Sequence, residues 1–260
     1  MLVKTAFREK MFQLWYWYVS NIDKNAEVLF MNYGYANSEF SVKLEPADEP
    51  NRYSAQLYHL LGADTGLSGK DIAEIGCGRG GGLSYVVRTF SPATALGIDL
   101  NERAVRFCNQ HYQHKGLTFR QGDAQNLPFI NNASFDVILN VESSHRYPQM
   151  ELFLNEVYRL LRPGGYFLYT DFRYGYEMPL LKEQLSQSGL KIEKEELITD
   201  RVVEALTADD ARKRRLIKKL APRFVHKTAL NFAGAINSET YNQFANHQYQ
   251  YYFYVLRKPS

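Results

Sequence analysis

The chain has 260 residues, of which 45% are hydrophobic and 23% are charged, a composition typical of a globular protein with one main core. Lys and Arg number 31 and Asp and Glu 28, so the net charge of +3 is too small to indicate a nucleic-acid-binding protein. The only cysteines, Cys77 and Cys108, exclude a disulfide framework and indicate reduced thiols in a cytoplasmic protein. No run of about eighteen apolar residues predicts a membrane-spanning helix.

The N-terminal 60 residues are rich in aromatic side chains, and we expect them to form a cap. The apolar run at residues 11–19 superficially resembles a signal peptide, but no small-residue cleavage site follows it, which favours a cap helix. Tyr and Trp suit a wall that is apolar inside and wet outside. The aromatic residues expected to form this wall are Phe12, Trp15, Tyr16, Trp17, Tyr18, Phe30, Tyr33 and Tyr35.

From Lys70 onward, short apolar runs alternate with amphipathic stretches. The pattern predicts strands at residues 71–75, 94–100, 117–121, 135–141, 165–170, 191–199 and 247–257, with helices at 80–90, 102–114, 150–161 and 177–188. This alternation predicts a parallel α/β sheet with helices on both faces, which binds its ligand at the carboxyl ends of the strands. We therefore divide the chain into a cap (1–60), a core (61–200), a helical lid insertion (201–245) and a last core strand (246–260).

A glycine-rich loop follows the first strand, with the sequence EIGCGRGGG at residues 74–82. Glycines let the backbone approach a ligand closely, and the N-terminus of the next helix offers free N–H groups. The loop contains the spacing G-x-G-x-x-G, and Asp99 lies at the end of the second strand. On these residues alone, a nicotinamide-dependent dehydrogenase is an alternative.

Three acidic residues separate the two interpretations. Glu74 stands two residues before the first glycine, where its carboxylate can meet an ammonium group. Asp99 can accept hydrogen bonds from both hydroxyls of a ribose, and Asp123 after the third strand can accept one from an adenine amine.

The order of the motifs EIGCGRG, GIDL, GDAQNLPF, SFDVILN and LLRPGG resembles that of class I S-adenosylmethionine-dependent methyltransferases over residues 71–171. The resemblance implies a Rossmann-like seven-stranded sheet with its last strand antiparallel, and S-adenosyl-L-methionine as the cofactor. It argues against the dehydrogenase. The residues it places at the cofactor are Glu74, Gly76, Cys77, Gly78, Gly80, Asp99, Leu100, Gly122, Asp123, Ala124 and Asn140.

Segments outside these motifs carry a closer resemblance. The sequences FMNYGY (30–35), LEPADEPNR (44–52) and NVESSHRYP (140–148) are similar to those of phthiotriol/phenolphthiotriol dimycocerosates methyltransferases, which O-methylate a hydroxyl of a long polyketide lipid. The similarity fades after Arg173. It implies an O-methyltransferase of an apolar, hydroxylated lipid-like or polyketide molecule in secondary metabolism. The alternatives are C- or N-methylation of a small metabolite, or a cofactor-binding subunit without catalysis.

The candidate catalytic pair is His145 and Asp171. An alcohol is a poor nucleophile until its proton is removed, so its methylation calls for a base. His145 follows the fourth strand and Asp171 is expected to end the neighbouring fifth strand, so the carboxylate can orient the imidazole. Glu142, three residues before His145, is the competing orienting group.

Two further questions concern metals and membranes. Asp136, Asn140, Glu142 and Asp171 could be grouped as metal ligands, but Asp136 begins its strand at the opposite edge of the sheet, and we predict no metal. The basic stretch at residues 212–227 is either a solvated helix face or a surface for transient contact with anionic lipid. The sequence does not identify the acceptor or the oligomeric state.

Overall fold

The computed structural model describes residues 26–37 and 42–260. The predicted cap helix at residues 11–19, with Phe12, Trp15, Tyr16, Trp17 and Tyr18, lies outside the described residues. None of the helices in the described ranges is long and apolar enough to cross a membrane.

Seven strands of the described chain form one sheet. They are β1 (Asp71–Ile75), β2 (Thr94–Asp99), β3 (Leu117–Gln121), β4 (Phe135–Val141), β5 (Leu161–Tyr174), β6 (Lys191–Leu197) and β7 (Tyr249–Arg257). Their spatial order is β3-β2-β1-β4-β5-β7-β6. The strands from β3 to β5 pair in parallel, and β7 pairs antiparallel with both β5 and β6. The predicted Rossmann-like fold with an antiparallel last strand is confirmed.

Helices cover both faces of this sheet. The described helices are α1 (Arg52–Ala63), α2 (Gly81–Phe90), α3 (Glu102–His111), α4 (Met150–Leu160), α5 (Met178–Gln187), α6 (Thr199–Leu220), α7 (His226–Phe232) and α8 (Glu239–Ala245). Alternate residues of each strand point to opposite faces, so one strand supplies two cores. In β4, Val137 and Leu139 pack in the core that includes α1, α2, α3 and α6, and Ile138 packs with α4 and α5.

One predicted strand is longer than its sequence pattern indicates. The fifth strand was expected at residues 165–170 with Asp171 at its end, but β5 extends to Tyr174 and Asp171 lies inside it. The reason is a distant partner, because Phe172, Arg173 and Tyr174 pair with Tyr251, Gln250 and Tyr249 of β7.

Helices α6, α7 and α8 lie between β6 and β7 in the chain, in the region designated above as a lid insertion. The N-terminal segment 26–37 runs between these helices and the core. The amide of Ala36 donates to the carbonyl of Arg201 on α6, and the amide of Gly81 at the start of α2 donates to the carbonyl of Leu29. Helix α1 crosses the boundary at residue 60 and is buried in the core through Leu57 and Leu61.

Candidate active site

A cavity of about 1670 Å³ opens at the carboxyl edge of β1, β2, β4 and β5. The chain order of the strands reverses between β1 and β4, and ligands of such sheets bind at this crevice. Sites for one drug-sized ligand have volumes of roughly 300–1,000 Å³. The cavity therefore has room for a cofactor together with a second molecule.

The glycine-rich loop forms one wall through its backbone. Gly76 has a φ of +80°, and a Cβ atom there would lie 2.3 Å from the Ser143 hydroxyl oxygen, so only glycine fits. The amides of Gly76 and Cys77 both donate to the carbonyl of Ile98, at 2.7 and 3.0 Å. These bonds hold the loop against β2 and leave a backbone cradle on the cavity side.

Asp99 fastens the same loop to the end of β2. Its two carboxylate oxygens accept hydrogen bonds from the amides of Gly78 and Asn101, each at 2.8 Å. Burial raises the pKa of Asp99, and the two amide hydrogen bonds oppose that change. Each oxygen keeps a further acceptor position toward the cavity, which suits a diol such as ribose.

Glu74 has a buried oxygen without a partner. Tyr58 of α1 donates to its Oε1 at 2.6 Å, whereas Oε2 has no hydrogen-bond partner within the described chain. Burial raises the pKa of Glu74 to about 8, although the Tyr58 hydrogen bond opposes this. A buried carboxyl in this state is suited to a cationic ligand, because the arrival of a positive charge favours its ionised form.

The other predicted cofactor residues divide into two groups. Gly80 and Asn140 stand behind the cavity wall: a Cβ at Gly80 would meet Phe119, and the Asn140 amide donates to the Ile75 carbonyl and the Ser143 hydroxyl at 2.7 Å each. The predicted residues that line the cavity are Gly76, Cys77, Gly78, Asp99, Leu100, Gly122, Asp123 and Ala124.

His145 and Asp171 form a hydrogen-bonded pair at the same cavity. His145 Nδ1 lies 2.8 Å from Asp171 Oδ1, and the histidine side chain is 19% exposed while that of Asp171 is fully buried. An Nδ1–H that donates to the carboxylate leaves Nε2 as a proton acceptor. His145 sits in a short 3₁₀ turn, Ser144–Arg146, just after β4, and its ring packs on Phe172 at 4.6 Å between centroids.

Asp171 keeps its charge in a buried position because it is fully hydrogen-bonded. Its Oδ2 accepts from the Ser144 hydroxyl at 2.7 Å and the His145 amide at 2.9 Å, and lies 3.2 Å from an Arg173 nitrogen. Burial acts to raise the pKa of Asp171, but its interactions with His145, Arg173 and Ser144 outweigh burial and hold that pKa well below its usual range. Burial lowers the pKa of His145, and Asp171 opposes this, so the imidazole is predominantly neutral at pH 7.

Glu142 does not contact the His145 ring. Its Oε1 accepts from the Tyr33 amide and the Tyr251 hydroxyl, each at 2.7 Å. Of the two candidate orienting groups, Asp171 is the one paired with the imidazole. Glu142 instead ties the N-terminal segment to β7, and it does so from a left-handed backbone conformation with a φ of 47°, which is rare for a residue with a side chain.

Comparison with known proteins identifies the family. The family profile described as a methyltransferase domain matches residues 73–169. A fatty-acid O-methyltransferase of Mycolicibacterium smegmatis is 40% identical over 95% of this chain and 90% of its own length. A phthiotriol/phenolphthiotriol dimycocerosates methyltransferase of Mycobacterium tuberculosis is 35% identical over 98% of this chain and 94% of its own length. The chain belongs to the class I S-adenosylmethionine-dependent methyltransferases.

Solved structures share the fold of this methyltransferase at low identity. The [4+2]-cyclase SpnF superposes with a TM-score of 0.71 at 19% identity, over 95% of this chain and 94% of its own. A putative sarcosine dimethylglycine methyltransferase of Galdieria sulphuraria superposes with a TM-score of 0.69 at 16% identity, over 88% of this chain and 93% of its own. Because one of these neighbours is described as a cyclase, the shared fold does not by itself specify the reaction.

S-adenosylmethionine is the cofactor of this methyltransferase, and the residues present fit it. The Asp99 carboxylate suits its ribose, and the cradle at Gly76 admits a ligand against the backbone. Glu74 is fully buried and does not line the cavity, but its unpartnered Oε2 lies directly behind this loop and suits the charge of the ammonium group.

The described part of the methyltransferase contains no group of three His, Cys, Asp or Glu side chains arranged as metal ligands. Asp136 lies at the opposite sheet edge, where its carboxylate pairs with Arg162 at 2.8 Å and accepts from the Asp71 amide at 2.9 Å.

Sequence reasoning missed three residues of the site. Tyr58 and Arg173 hold Glu74 and Asp171, and Lys213 of α6 lines the cavity. The place of Arg173 could have been predicted, because it lies two residues from Asp171 on one strand and therefore shares its face. The place of Tyr58 could not, because only tertiary packing brings α1 to the end of β1.

Proposed function

We propose that this methyltransferase transfers a methyl group to an oxygen of an apolar, lipid-like acceptor, with His145 as the base. The observation that carries the proposal is the His145–Asp171 pair in a cavity large enough for cofactor and acceptor. Two relatives support it by name, since one is a fatty-acid and the other a phthiotriol/phenolphthiotriol methyltransferase.

The cofactor is held on the glycine-loop side of the cavity. Glu74, Asp99 and the backbone of Gly76 and Gly78 would hold it, with Asp123 and Ala124 beside the adenine. When bound, S-adenosylmethionine supplies an electrophilic methyl group on a sulfonium. The work of the chain is to position the acceptor oxygen in line with that group and to exclude water.

His145 then removes the proton of an acceptor hydroxyl. Nε2 accepts the proton, and Asp171 stabilises the resulting imidazolium through its hydrogen bond to Nδ1–H. A lowered pKa keeps the imidazole in its neutral form at physiological pH, which is the form that a base requires.

We also propose that the segment 26–37 and helices α6 to α8 cover the acceptor. Both line the cavity, and the ion pair between Glu27 and Lys219 at 2.7 Å joins the segment to α6. Polyketide-like acceptors, secondary metabolism and a cytoplasmic location belong to the same proposal; Cys77 and Cys108 support the last, since both are free thiols.

Contact with an anionic membrane is the proposed route of the acceptor. Phe224, in the turn between α6 and α7, is 85% exposed, and Lys218, Lys219, Arg223 and Lys227 surround it in the chain. Exposed aromatic and basic side chains together suit a bilayer surface. Cosedimentation with anionic vesicles should decrease in Phe224→Ala, and equal binding of both proteins would contradict this route.

The test of the proposed function is transfer of a labelled methyl group. The full chain is incubated with methyl-labelled S-adenosylmethionine and a panel of lipid-like alcohols and acids, with matched amines as controls. Label in an ether or ester supports the proposal. Label only in amines or at carbon favours the alternative methyltransferases, and tight cofactor binding without any transfer favours a non-catalytic subunit.

A further inference from the structure

Helix α6 carries a lysine in the row of residues that it buries. Its buried positions include Val202, Leu206, Asp209 and Ile217, with the three- and four-residue spacing of one helix face. Lys213 lies four residues from both Asp209 and Ile217 and so falls in the same row. Its side chain is 11% exposed, its Nζ is buried, and it lines the cavity of the active site. Lys213 is therefore not part of the solvated helix face expected for residues 212–227.

No side chain of the described chain accepts a hydrogen bond from this ammonium group. Lys213 Nζ has no hydrogen-bond partner there, and its ion-pair distance to Asp209 Oδ2 is 4.0 Å. Asp209 is already engaged by Arg212, whose Nε and Nη2 donate to its two oxygens at 2.6 Å each. Arg212 and Lys213 together carry two positive charges against the single negative charge of Asp209, and no hydrogen bond satisfies the ammonium of Lys213.

Glu142, a second buried carboxyl near Lys213, does not accept a hydrogen bond from it. Burial raises the pKa of Glu142 to about 8, and its Oε1 accepts from Tyr33 and Tyr251. Burial lowers the pKa of Lys213 to about 8, against the opposing charge of Asp209. The charges of Lys213 and Glu142 oppose the effect of burial on each other's pKa, but no hydrogen bond joins the two groups. A buried charge is costly unless it is paired and hydrogen-bonded.

Apolar side chains of α6 and α7 line the same cavity as Lys213, beside polar ones that include Arg212, Asn231 and Gln243. Leu216, Ile217 and Leu220 of α6 line the cavity together with Ala229 and Phe232 of α7. A ligand that satisfies this region needs one negative charge and an apolar body. A carboxylate matches the single ammonium, whereas a phosphate dianion would leave excess charge in the same apolar surroundings.

We propose that Lys213 binds a carboxylate on the apolar chain of the acceptor, and that it selects acids over uncharged lipids. The inference rests on the proposed function, because it assigns the acceptor chemistry of the same cavity. Two acceptors share this chemistry: a fatty acid methylated on its carboxylate, and a hydroxy acid anchored by its carboxylate and methylated on its hydroxyl.

The test compares Lys213→Met with the control Arg215→Met, which removes an equal charge from an exposed position of the same helix. Calorimetry measures the binding of dodecanoate, dodecanol and methyl dodecanoate to each full-length protein without cofactor. Lys213→Met should weaken dodecanoate binding at least about tenfold, as expected for loss of a hydrogen bond to a charged group. The affinities of Lys213→Met for the two uncharged ligands should stay within about twofold of wild type, and Arg215→Met should match wild type for all three ligands.

Folding does not confound this comparison, because methionine keeps the apolar length of the side chain and removes the buried charge. The midpoint temperature of thermal unfolding of Lys213→Met should equal or exceed that of wild type. Equal loss of dodecanoate and dodecanol binding in Lys213→Met, or unchanged binding of all three ligands, would overturn the proposal.

Methyl transfer is measured separately, so the two proposals can fail independently. Charge-selective binding through Lys213 without transfer to any oxygen would leave the lysine inference standing and reject the proposed function. Methyl transfer to oxygen without charge-selective binding would support the proposed function and reject the lysine inference. Alkaline hydrolysis of the labelled product distinguishes the two acceptors, since it releases the label from an ester of dodecanoate and not from an ether of hydroxydodecanoate.

Discussion

The two halves of the cavity differ in whether backbone or side chains form their walls. The proposed cofactor half, at the ends of β1, β2 and β3, includes a backbone cradle, with Gly76 and Gly78 in left-handed conformations and amides held by Asp99. The proposed acceptor half, at the ends of β4 and β5, consists of side chains from separate segments, including Glu142, His145 and Lys213. A backbone cradle suits a ligand of constant shape, whereas a wall of side chains can differ between enzymes that share one cofactor.

The largest expected effect is the loss of turnover when the proposed base is removed, with little change in cofactor affinity. His145→Ala should lower turnover of an alcohol acceptor by about 10²–10⁴-fold, because the hydroxyl then keeps its proton at the moment of attack. Its affinity for S-adenosylmethionine should stay within a few-fold of wild type. Steady-state kinetics and calorimetry measure the two quantities. Near-normal turnover would mean that another group takes the proton.

The roles of the two buried carboxyls in the acceptor half can be separated by a matched pair. Asp171→Asn should reduce turnover on the order of 10²-fold, because the amide no longer stabilises the imidazolium. Glu142→Gln should stay within a few-fold, because the glutamine oxygen can still accept from Tyr33 and Tyr251. Equal losses in both variants would contradict the assignment of Asp171 as the orienting residue.

In the cofactor half, Asp99→Ala should weaken S-adenosylmethionine binding by about tenfold or more. The substitution removes the ribose acceptor and also frees the amides of Gly78 and Asn101. Asp123→Ala, at an exposed position, should have a smaller effect. Titration calorimetry gives both affinities, and unchanged affinity in a folded Asp99→Ala protein would reject its role.

A smaller effect in the same half is the release of a proton. Because burial raises the pKa of Glu74 to about 8, its carboxyl is largely protonated at pH 7 in the free protein. An ammonium beside Oε2 favours the ionised form, so cofactor binding should release a proton and strengthen as pH rises toward 7. Calorimetry in two buffers of different ionisation enthalpy should detect the proton in wild type and none in Glu74→Gln. Equal release by both proteins would place the titration elsewhere.

The sequence was more informative about the glycine-rich loop and the His145–Asp171 pair than about helices α6 to α8. The glycine spacing and Asp99 could be predicted because the motif is local, and His145 was expected near Asp171 because parallel strands end at one edge. The full length of β5 could not be predicted from the sequence. Residues 172–174 belong to the strand only because they pair with the distant β7.

The inward position of Lys213 depended on the docking of α6. Its spacing from Asp209 and Ile217 was visible in the sequence, but which face a charged helix buries is decided by tertiary contacts. The same limit applies to Glu142, which is joined to Tyr33 and Tyr251 across 109 residues in each direction along the chain.

The pH dependence of kcat/KM for an uncharged alcohol tests most directly whether His145 is the base. Burial lowers the pKa of His145 below its ordinary value of 6.5, despite the opposing charge of Asp171. Wild-type activity should therefore rise with pH through an inflection below 6.5, as the imidazole becomes neutral, and then level off. The residual activity of His145→Ala should lack that inflection. The same inflection in both proteins would contradict the account, because the titrating group could not then be His145.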